Sequence, residues 1–167
     1  MELTSAPVPP LGDDDHVRGE DDAPLVVFYG DFACPYCAMA VERLEEDAPV
    51  RVVFRHFALK AKHPRAPALA AAAEAAALQG AFWPFHDALF ADQGRIDDPH
   101  LWTRAQALGL DLERFDADRR SEEVQARVKR DVRSAMRAGV ATSPTLVAGG
   151  VLHPGPPEPG WVRTLHR

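Results

Sequence analysis

The sequence feature that most constrains the fold is a pair of cysteines, Cys34 and Cys37, which are the only two in the 167 residues. An apolar, β-rich run at residues 25–29 precedes the pair and predicts a strand, and residues 35–47 predict a helix directly after it. Pro35 supports helix initiation after Cys34, because proline is favoured in the first helical turn. Unpaired N–H groups and the positive end of the helix dipole favour a thiolate at Cys34. The pattern therefore predicts dithiol exchange, with Cys34 as nucleophile and Cys37, one turn into the helix and more buried, as resolving thiol.

Other interpretations of the cysteine pair are less favoured by the sequence. A structural disulfide at this spacing closes a very small loop and constrains the unfolded chain little. A structural zinc site usually needs four ligands, and the chain has no second cysteine pair. Since His56 and His63 do not follow a finger-like spacing either, no metal is predicted. Two alternatives to a protein-disulfide enzyme stay open: a glutathione-dependent, glutaredoxin-like reductase, and a non-enzymatic redox switch or holdase chaperone.

Composition indicates a compact domain without a membrane or nucleic-acid partner. With 46% hydrophobic and 26% charged residues, the chain can bury a core of its own. It has no run of 18 apolar residues, and a net charge of −6 argues against nucleic-acid binding. Residues 1–24 are acidic and proline-rich without the features of a signal peptide, and we predict a flexible tail over residues 1–13. Because two cysteines make no disulfide scaffold, the predicted compartment is a reducing cytoplasm.

The remaining patterns alternate strands with a block of helices. Short strands are predicted at residues 14–18 and 50–57, and a β-hairpin at residues 145–153. Between them, helices are predicted at residues 68–78 and 82–90, after an Asp98 N-cap, at residues 111–118, and from Ser121 to the glycine at position 139. The last of these helices places one apolar set on a single face: Val124, Val128, Val132, Ala135 and Met136. This order predicts an α/β thioredoxin fold, with residues 14–63 and 139–167 as its core and residues 64–138 as an inserted helical subdomain.

Several stretches together identify a resemblance to the DsbA-like family of thiol–disulfide oxidoreductases over residues 14–167. They are GDFACPYC at 30–37, RHF at 55–57, HPRA at 63–66, QGAFW at 79–83, HD at 86–87 and GVATSPT at 139–145. The resemblance implies exchange with protein thiols and disulfides, a separate recycling partner and no metal, nucleotide or flavin cofactor. Pro35 and Tyr36, between the cysteines, are interpreted as the pair that tunes the reduction potential.

The same resemblance assigns two further elements of the site. Ser143, Pro144 and Thr145 match the cis-proline loop, where the backbone of the residue before proline pairs with substrate like an added strand. Ser143 stands where close members of the family more often have threonine. A second departure is Phe28, six positions before Cys34, where many thioredoxin-fold enzymes keep a buried acid that manages the proton of the second cysteine. Asp31 is the candidate for that proton transfer, with a turn-capping role as the alternative.

Overall fold

The computed structural model describes residues 5–167, and its elements follow the predicted order with ends that differ by one or two residues. The strands are β1 (His16–Arg18), β2 (Leu25–Gly30), β3 (Arg51–His56), β4 (Thr145–Ala148) and β5 (Val151–Pro154). The helices are α1 (Pro35–Glu46), α2 (Ala66–Ala77), α3 (Phe82–Ala91), α4 (Asp98–Ala107), α5 (Leu112–Asp118), α6 (Glu122–Arg137) and α7 (Trp161–Thr164). Helices α2 to α6 thus lie between β3 and β4, and the division into a core and an inserted subdomain stays a prediction.

One mixed sheet organises the molecule, with strand order β1-β3-β2-β4-β5. Strands β2 and β3 are parallel and place Phe28 opposite Phe54, whereas β2 and β4 are antiparallel and place Phe28 opposite Leu146. The parallel pair requires a crossover, which α1 supplies. Helix α1 therefore begins at the carboxyl end of the central strand β2.

The sheet separates two apolar layers, because successive side chains of a strand point to opposite faces. On one face, Phe28 and Phe54 pack with residues of α1, α2, α3, α4 and α5. On the other face, Tyr29 and Val53 pack with Ala135 of α6. The sheet is covered on both sides, and the cysteine-bearing helix lies on the side of most helices.

Two details of the helices differ from the sequence prediction. Helix α4 is capped by Asp97, whose carboxylate accepts from the backbone N–H of His100, so the prediction of Asp98 as cap was wrong by one residue. On α6, Met136 is 53% exposed, whereas Asp131 is buried and accepts a hydrogen bond from the His56 backbone N–H. The buried face of α6 consists of residues 124, 128, 131 and 135. Asp131 can be buried there because its carboxylate is hydrogen-bonded. Asp111 and Ser121, where the next two helices were predicted to begin, are the N-caps of α5 and α6.

Residues 6–10 lie against β3 and the end of α6. Residues 1–4 of the predicted flexible tail lie outside the described residues. Farther along the same segment, the Ala6 backbone N–H donates to the Arg137 carbonyl, and the carbonyls of Pro9 and Pro10 accept from Arg55. Mobility of residues 1–13 stays a prediction. Within residues 5–167, every helix falls short of the length and apolar character needed to cross a bilayer.

Candidate active site

The two cysteines lie at the first turn of α1, at the carboxyl end of β2. Cys34 is the N-cap residue, with extended backbone angles, and Pro35 is the first helical residue. Both cysteines are free thiols; Cys34 keeps 3% of its surface exposed and Cys37 none. Between them, Pro35 and Tyr36 lie on the surface, with Tyr36 61% exposed. An incoming group therefore meets Cys34 at the edge of an exposed dipeptide, while Cys37 stays covered.

The environments of the two sulfurs move their pKa values in opposite directions. A hydrogen bond from the Cys37 thiol, together with the backbone N–H groups of Cys37 and Tyr36, lowers the pKa of Cys34 to about 6 despite its burial. Burial raises the pKa of Cys37 far above its ordinary value, and its hydrogen bond to Cys34 adds to that increase. At neutral pH the pair therefore holds one thiolate, at Cys34, and one thiol, at Cys37. The largest cause at Cys34 is its partner thiol, and the helix-start N–H groups contribute less.

The loop before β4 faces the nucleophile. The Ser143–Pro144 peptide bond is cis, and the Cys34 sulfur lies 3.6 Å from the Ser143 carbonyl oxygen, which accepts from Cys34 when Cys34 is in its thiol form. Thr145 is buried and its hydroxyl donates to the Thr142 carbonyl at 2.7 Å. Because Thr145 pairs with Tyr29 in the sheet, the register of β4 on β2 brings residues 143–145 beside the start of α1.

Asp31 lies beneath the cysteines and links them to a histidine. Its backbone N–H donates to the Cys37 sulfur at 3.4 Å, and one oxygen of its carboxylate accepts from the Ala33 backbone N–H at 2.8 Å. The other oxygen lies 2.6 Å from Nδ1 of His63. The Asp31 side chain is 2% exposed and the His63 side chain 32%. Burial raises the pKa of Asp31, and the hydrogen bonds from Ala33 and His63 only partly offset this.

Comparison with known proteins identifies the family to which the chain belongs. The family model described as thioredoxin matches residues 12–164. The chain belongs to the thioredoxin family. Among solved structures, a thioredoxin-like oxidoreductase from Silicibacter pomeroyi DSS-3 is 28% identical, with a TM-score of 0.80 over 93% of this chain and 91% of that one. BdbD from Bacillus subtilis is 19% identical, with a TM-score of 0.80 over 98% of this chain and 97% of that one, which establishes a shared fold.

The fold is thus the thioredoxin fold in its DsbA-like form, with a block of helices between β3 and β4, as the sequence predicted.

Curated relatives of the chain carry a different name. A protein named Na(+)/H(+) antiporter NhaA 1 from Mycolicibacterium vanbaalenii is 44% identical over 158 residues, which cover 90% of this chain and 25% of that protein. One named NhaA 3 from Salinispora tropica is 46% identical over 157 residues, which cover 89% of this chain and 24% of that protein. The chain spans about a quarter of the length of these relatives.

Gln93 is a site residue that the sequence analysis missed. It lies after α3, and its side-chain amide donates to the carbonyls of Phe32 and Cys34, each at 2.9 Å. These two bonds hold the thioredoxin-family cysteine loop against the helical block. A glutamine 59 positions from its partner carries no signal in the sequence, because only the tertiary packing brings the two segments together.

Arg55 and His56, two adjacent residues at the end of β3, lie away from the sulfurs. Arg55 pairs with Asp15 and contacts the hydroxyl of Tyr29 on the opposite face of the sheet. His56 is fully buried and its Nε2 lies 2.7 Å from Glu74. Of the two histidines considered with the cysteines, the structure brings His63 to the site through Asp31 and places His56 in a separate cluster.

Proposed function

We propose that this protein is a thiol–disulfide oxidoreductase that exchanges disulfides with protein substrates through Cys34 and Cys37. The observation that carries the proposal is the placement of the two sulfurs: Cys34 is the N-cap of α1 and accepts a hydrogen bond from the fully buried Cys37 thiol, so that the pKa of Cys34 is lowered to about 6 and that of Cys37 is raised. Thiol–disulfide exchange needs a thiolate to attack and a second thiol held in reserve. Two cysteines with equal pKa values would not divide these roles.

In the reductive direction, the Cys34 thiolate attacks a substrate disulfide, forming the Cys34–substrate disulfide and releasing one substrate sulfur as thiolate. Cys37 then loses its proton and attacks the Cys34 sulfur, forming the Cys34–Cys37 disulfide and releasing the second substrate sulfur. The released thiolates take protons from water. Two electrons pass from the enzyme dithiol to the substrate disulfide. In the oxidative direction a substrate thiolate attacks the enzyme disulfide at Cys34, and the same steps run backwards.

Asp31 acts in this proposal as the proton acceptor for Cys37. Its backbone already contacts the Cys37 sulfur, and burial raises the pKa of its carboxyl group toward that of a usable base. The negative charge of Asp31 also raises the pKa of Cys37. Transfer of the proton to Asp31 removes that charge as the thiolate forms. His63, a third of whose side chain is exposed, holds the carboxylate in place and connects it to solvent.

Residues 143–145 and the exposed dipeptide form the proposed substrate contact. An extended substrate segment lies along the loop and pairs with the Ser143 backbone like an added strand, beside Pro144 and Thr145. Pro35 and Tyr36 line the other side of Cys34, and Tyr36 supplies a backbone N–H to the thiolate. We assign this dipeptide the tuning of the reduction potential, since a better-stabilised thiolate makes the disulfide more oxidising.

The proposal concerns the quarter of the antiporter-named relatives that this chain matches. It assigns thiol–disulfide exchange to that region, because the cysteine pair and the residues that hydrogen-bond to it all lie within the matched length. A recycling partner and a cytoplasmic location stay predictions from the sequence. The reduction potential, measured against the poise of the compartment, decides the direction of electron flow.

A protein-disulfide reduction assay, run with and without glutathione, tests the proposal. With a small dithiol such as dithiothreitol as the electron donor and no glutathione, we expect turnover of a disulfide-bonded protein substrate, and its loss in Cys34→Ser. Turnover that depends strictly on glutathione would assign the glutaredoxin-like reductase instead. Reversible oxidation of the pair with no turnover on any protein substrate would assign the redox switch.

A further inference from the structure

A second cluster of reactive side chains lies between the sheet and α2, apart from the cysteines. His16 comes from β1, His56 ends β3, and Glu74 lies in the middle of α2. Each imidazole places its Nε2 atom 2.7 Å from the same carboxylate oxygen, Oε1 of Glu74. The three ligand atoms all lie within 4.8 Å of one another. Thus two imidazole nitrogens and one carboxylate oxygen converge on one point.

This cluster is buried more deeply than ordinary surface charge pairs. The side chains are exposed by 14% for His16, 1% for His56 and 8% for Glu74. The His16 ring stacks on Phe82, with ring centroids 3.6 Å apart, and the His56 ring meets Phe54 at 80°. Aromatic neighbours therefore fix both imidazole planes, so that the orientation of the nitrogens does not depend on solvent. Fixed rings are what a preformed ligand set requires.

The donor set matches one class of ion. Two neutral imidazoles and one carboxylate carry a charge of about −1, and they are the three protein ligands of the open zinc sites in which water takes the fourth position. Imidazole ligands disfavour magnesium and calcium, which prefer oxygen ligands. Nδ1 of His56 is buried and, within the described residues, makes no hydrogen bond. That atom can hold the ring proton when Nε2 gives its lone pair to a cation.

We propose that His16, His56 and Glu74 form a binding site for a divalent transition-metal ion, with Zn²⁺ favoured by the ligand types. Tetrahedral zinc, with bonds of about 2.0–2.2 Å, separates its ligand atoms by roughly 3.3 Å. Each of the two nitrogens lies 2.7 Å from the carboxylate oxygen, so binding requires these two nitrogen–oxygen distances to widen by about 0.6 Å. Rotation of the Glu74 side chain supplies such a movement without any change in the backbone.

Access to the cluster comes from the Glu74 side. Glu74 contributes to the wall of a cavity of about 470 Å³ whose other lining residues include Asp14, Glu123 and Arg127. The cavity gives water a path to a fourth coordination position. Two arginines line this cavity, Arg127 and Arg130, and both contact Asp14 and Asp131, so two carboxylates offset two positive charges beside the entry.

The proposed ion would join three separate elements. Strands β1 and β3 belong to the sheet, whereas α2 opens the helical block, and the ion would tie the block to the sheet at one point. Since the ligands include neither cysteine, metal binding and thiol exchange are separable properties. The role assigned to the ion is stabilisation of the fold.

The test uses protein in which both cysteines are replaced, Cys34→Ser with Cys37→Ser, because thiolates bind the same metals. Chelator-treated protein is titrated with Co²⁺ while the visible d–d absorption is followed, and Zn²⁺ is then added in competition. Thermal unfolding is measured with and without one equivalent of Zn²⁺. His16→Gln and Glu74→Gln keep hydrogen-bonding groups near the original atoms but remove a ligand. His100→Gln removes an exposed histidine that pairs with Asp97 and is the matched control.

We expect one Co²⁺ per chain, displacement by Zn²⁺, and a higher unfolding temperature with Zn²⁺. His16→Gln and Glu74→Gln should each weaken binding at least about tenfold and remove the thermal shift, whereas His100→Gln should match the parent. Absence of a d–d band and of a thermal shift in the parent would overturn the proposal. An unchanged affinity for Co²⁺ in His16→Gln would also overturn it. His16 lies on the edge strand β1, so this variant is expected to fold and keeps the test decisive even if Glu74→Gln does not fold.

Discussion

Among residues 5–167, two buried carboxylates are hydrogen-bonded to histidine side chains, and the two differ in the number of their imidazole partners. Asp31 has one imidazole partner, and its burial outweighs that bond and raises the pKa of the carboxyl group. Glu74 is also buried, but hydrogen bonds from His16 and His56 outweigh the burial and hold its pKa well below the ordinary value. The number of partners thus decides whether a buried carboxyl group stays ready to take a proton or stays an anion.

Position reinforces this difference. Asp31 contacts the sulfur of Cys37 and reaches solvent through His63, so a proton has a route in and out. Glu74 connects two strands and a helix and contacts no reacting atom that the structure describes. We therefore expect substitutions at Asp31 to change rates and substitutions at Glu74 to change stability.

The largest expected effect is at the nucleophile, which sets the scale for the other predictions. Cys34→Ser should abolish protein-disulfide exchange, a loss on the order of 10³-fold or more, because a serine oxygen cannot form a mixed disulfide with the substrate. Cys37→Ser should instead accumulate the mixed disulfide at Cys34, visible as a covalent adduct by mass spectrometry. An adduct at position 37 in Cys34→Ser would reverse the two roles.

Asp31→Asn should slow resolution of the mixed disulfide by about 10- to 100-fold, because general base assistance to Cys37 is lost. Asparagine keeps an acceptor for the Ala33 N–H and removes a buried charge, so the free energy of unfolding should be unchanged or higher. Single-turnover release of substrate and denaturant unfolding measure the two quantities separately. His63→Gln is the companion variant. Its rate loss should be smaller than that of Asp31→Asn, and its pH profile should shift. If Asp31→Asn lowers the free energy of unfolding and slows resolution only as far as folded protein is lost, Asp31 acts as a turn-capping residue alone.

Glu74→Gln should show the converse behaviour in metal-free protein. The glutamine oxygen accepts more weakly from both imidazoles, which should cost about 2 kcal/mol of unfolding free energy. Exchange activity should stay within about threefold of the parent, since no cysteine contact changes. A chemical denaturation curve and the reduction assay give both values. Loss of activity beyond the loss of folded protein would show that the two clusters are coupled.

The sequence predicted the parts of this comparison that depend on local spacing. Cys34, Cys37 and Pro35 are adjacent in the chain, so the strand, the helix start and the order of the two thiols follow from short-range rules. Asp31 was a candidate for the same reason, because it precedes the pair by three positions. The expected element order was correct as well, since strand and helix periodicities are local properties.

The parts that were missed depend on contacts between distant segments. Gln93 meets the cysteine loop, and Glu74 meets two strands, only after the helical block has packed on the sheet. The prediction for the face of α6 failed for a related reason: hydrophobicity placed Met136 inside, whereas packing buries Asp131, whose carboxylate pairs with the His56 backbone. Tertiary hydrogen bonds of this kind leave no periodic pattern in a single sequence.

The pH dependence of alkylation sharpens the chemistry at the cysteine end. The lowered pKa of Cys34, about 6, predicts a labelling rate that is half-maximal near that pH and falls about tenfold per unit below it. Because this folded-state pKa lies below the unfolded value of about 8.5, its contribution to the stability of the reduced protein is complete above about 8.5 and is lost as pH falls through 6. The rate of iodoacetamide labelling at each cysteine, followed against pH by peptide mapping, measures this pKa. A midpoint near 8.5, or faster labelling of Cys37, contradicts the assignment.

The smallest predicted effect concerns Gln93, which joins the cysteine loop to the helical block. Gln93→Ala removes two hydrogen bonds, to the carbonyls of Phe32 and Cys34, and should cost about 1–2 kcal/mol of unfolding free energy. Because the Cys34 carbonyl belongs to the first turn of α1, a looser loop should also change exchange by a few-fold. Gln125→Ala, which removes a side-chain bond to the Arg119 carbonyl far from the cysteines, is the matched control. If both variants lose the same stability and neither changes the rate of exchange, Gln93 supports the fold alone. A rate change confined to Gln93→Ala shows that the helical block helps to set the geometry of the nucleophile.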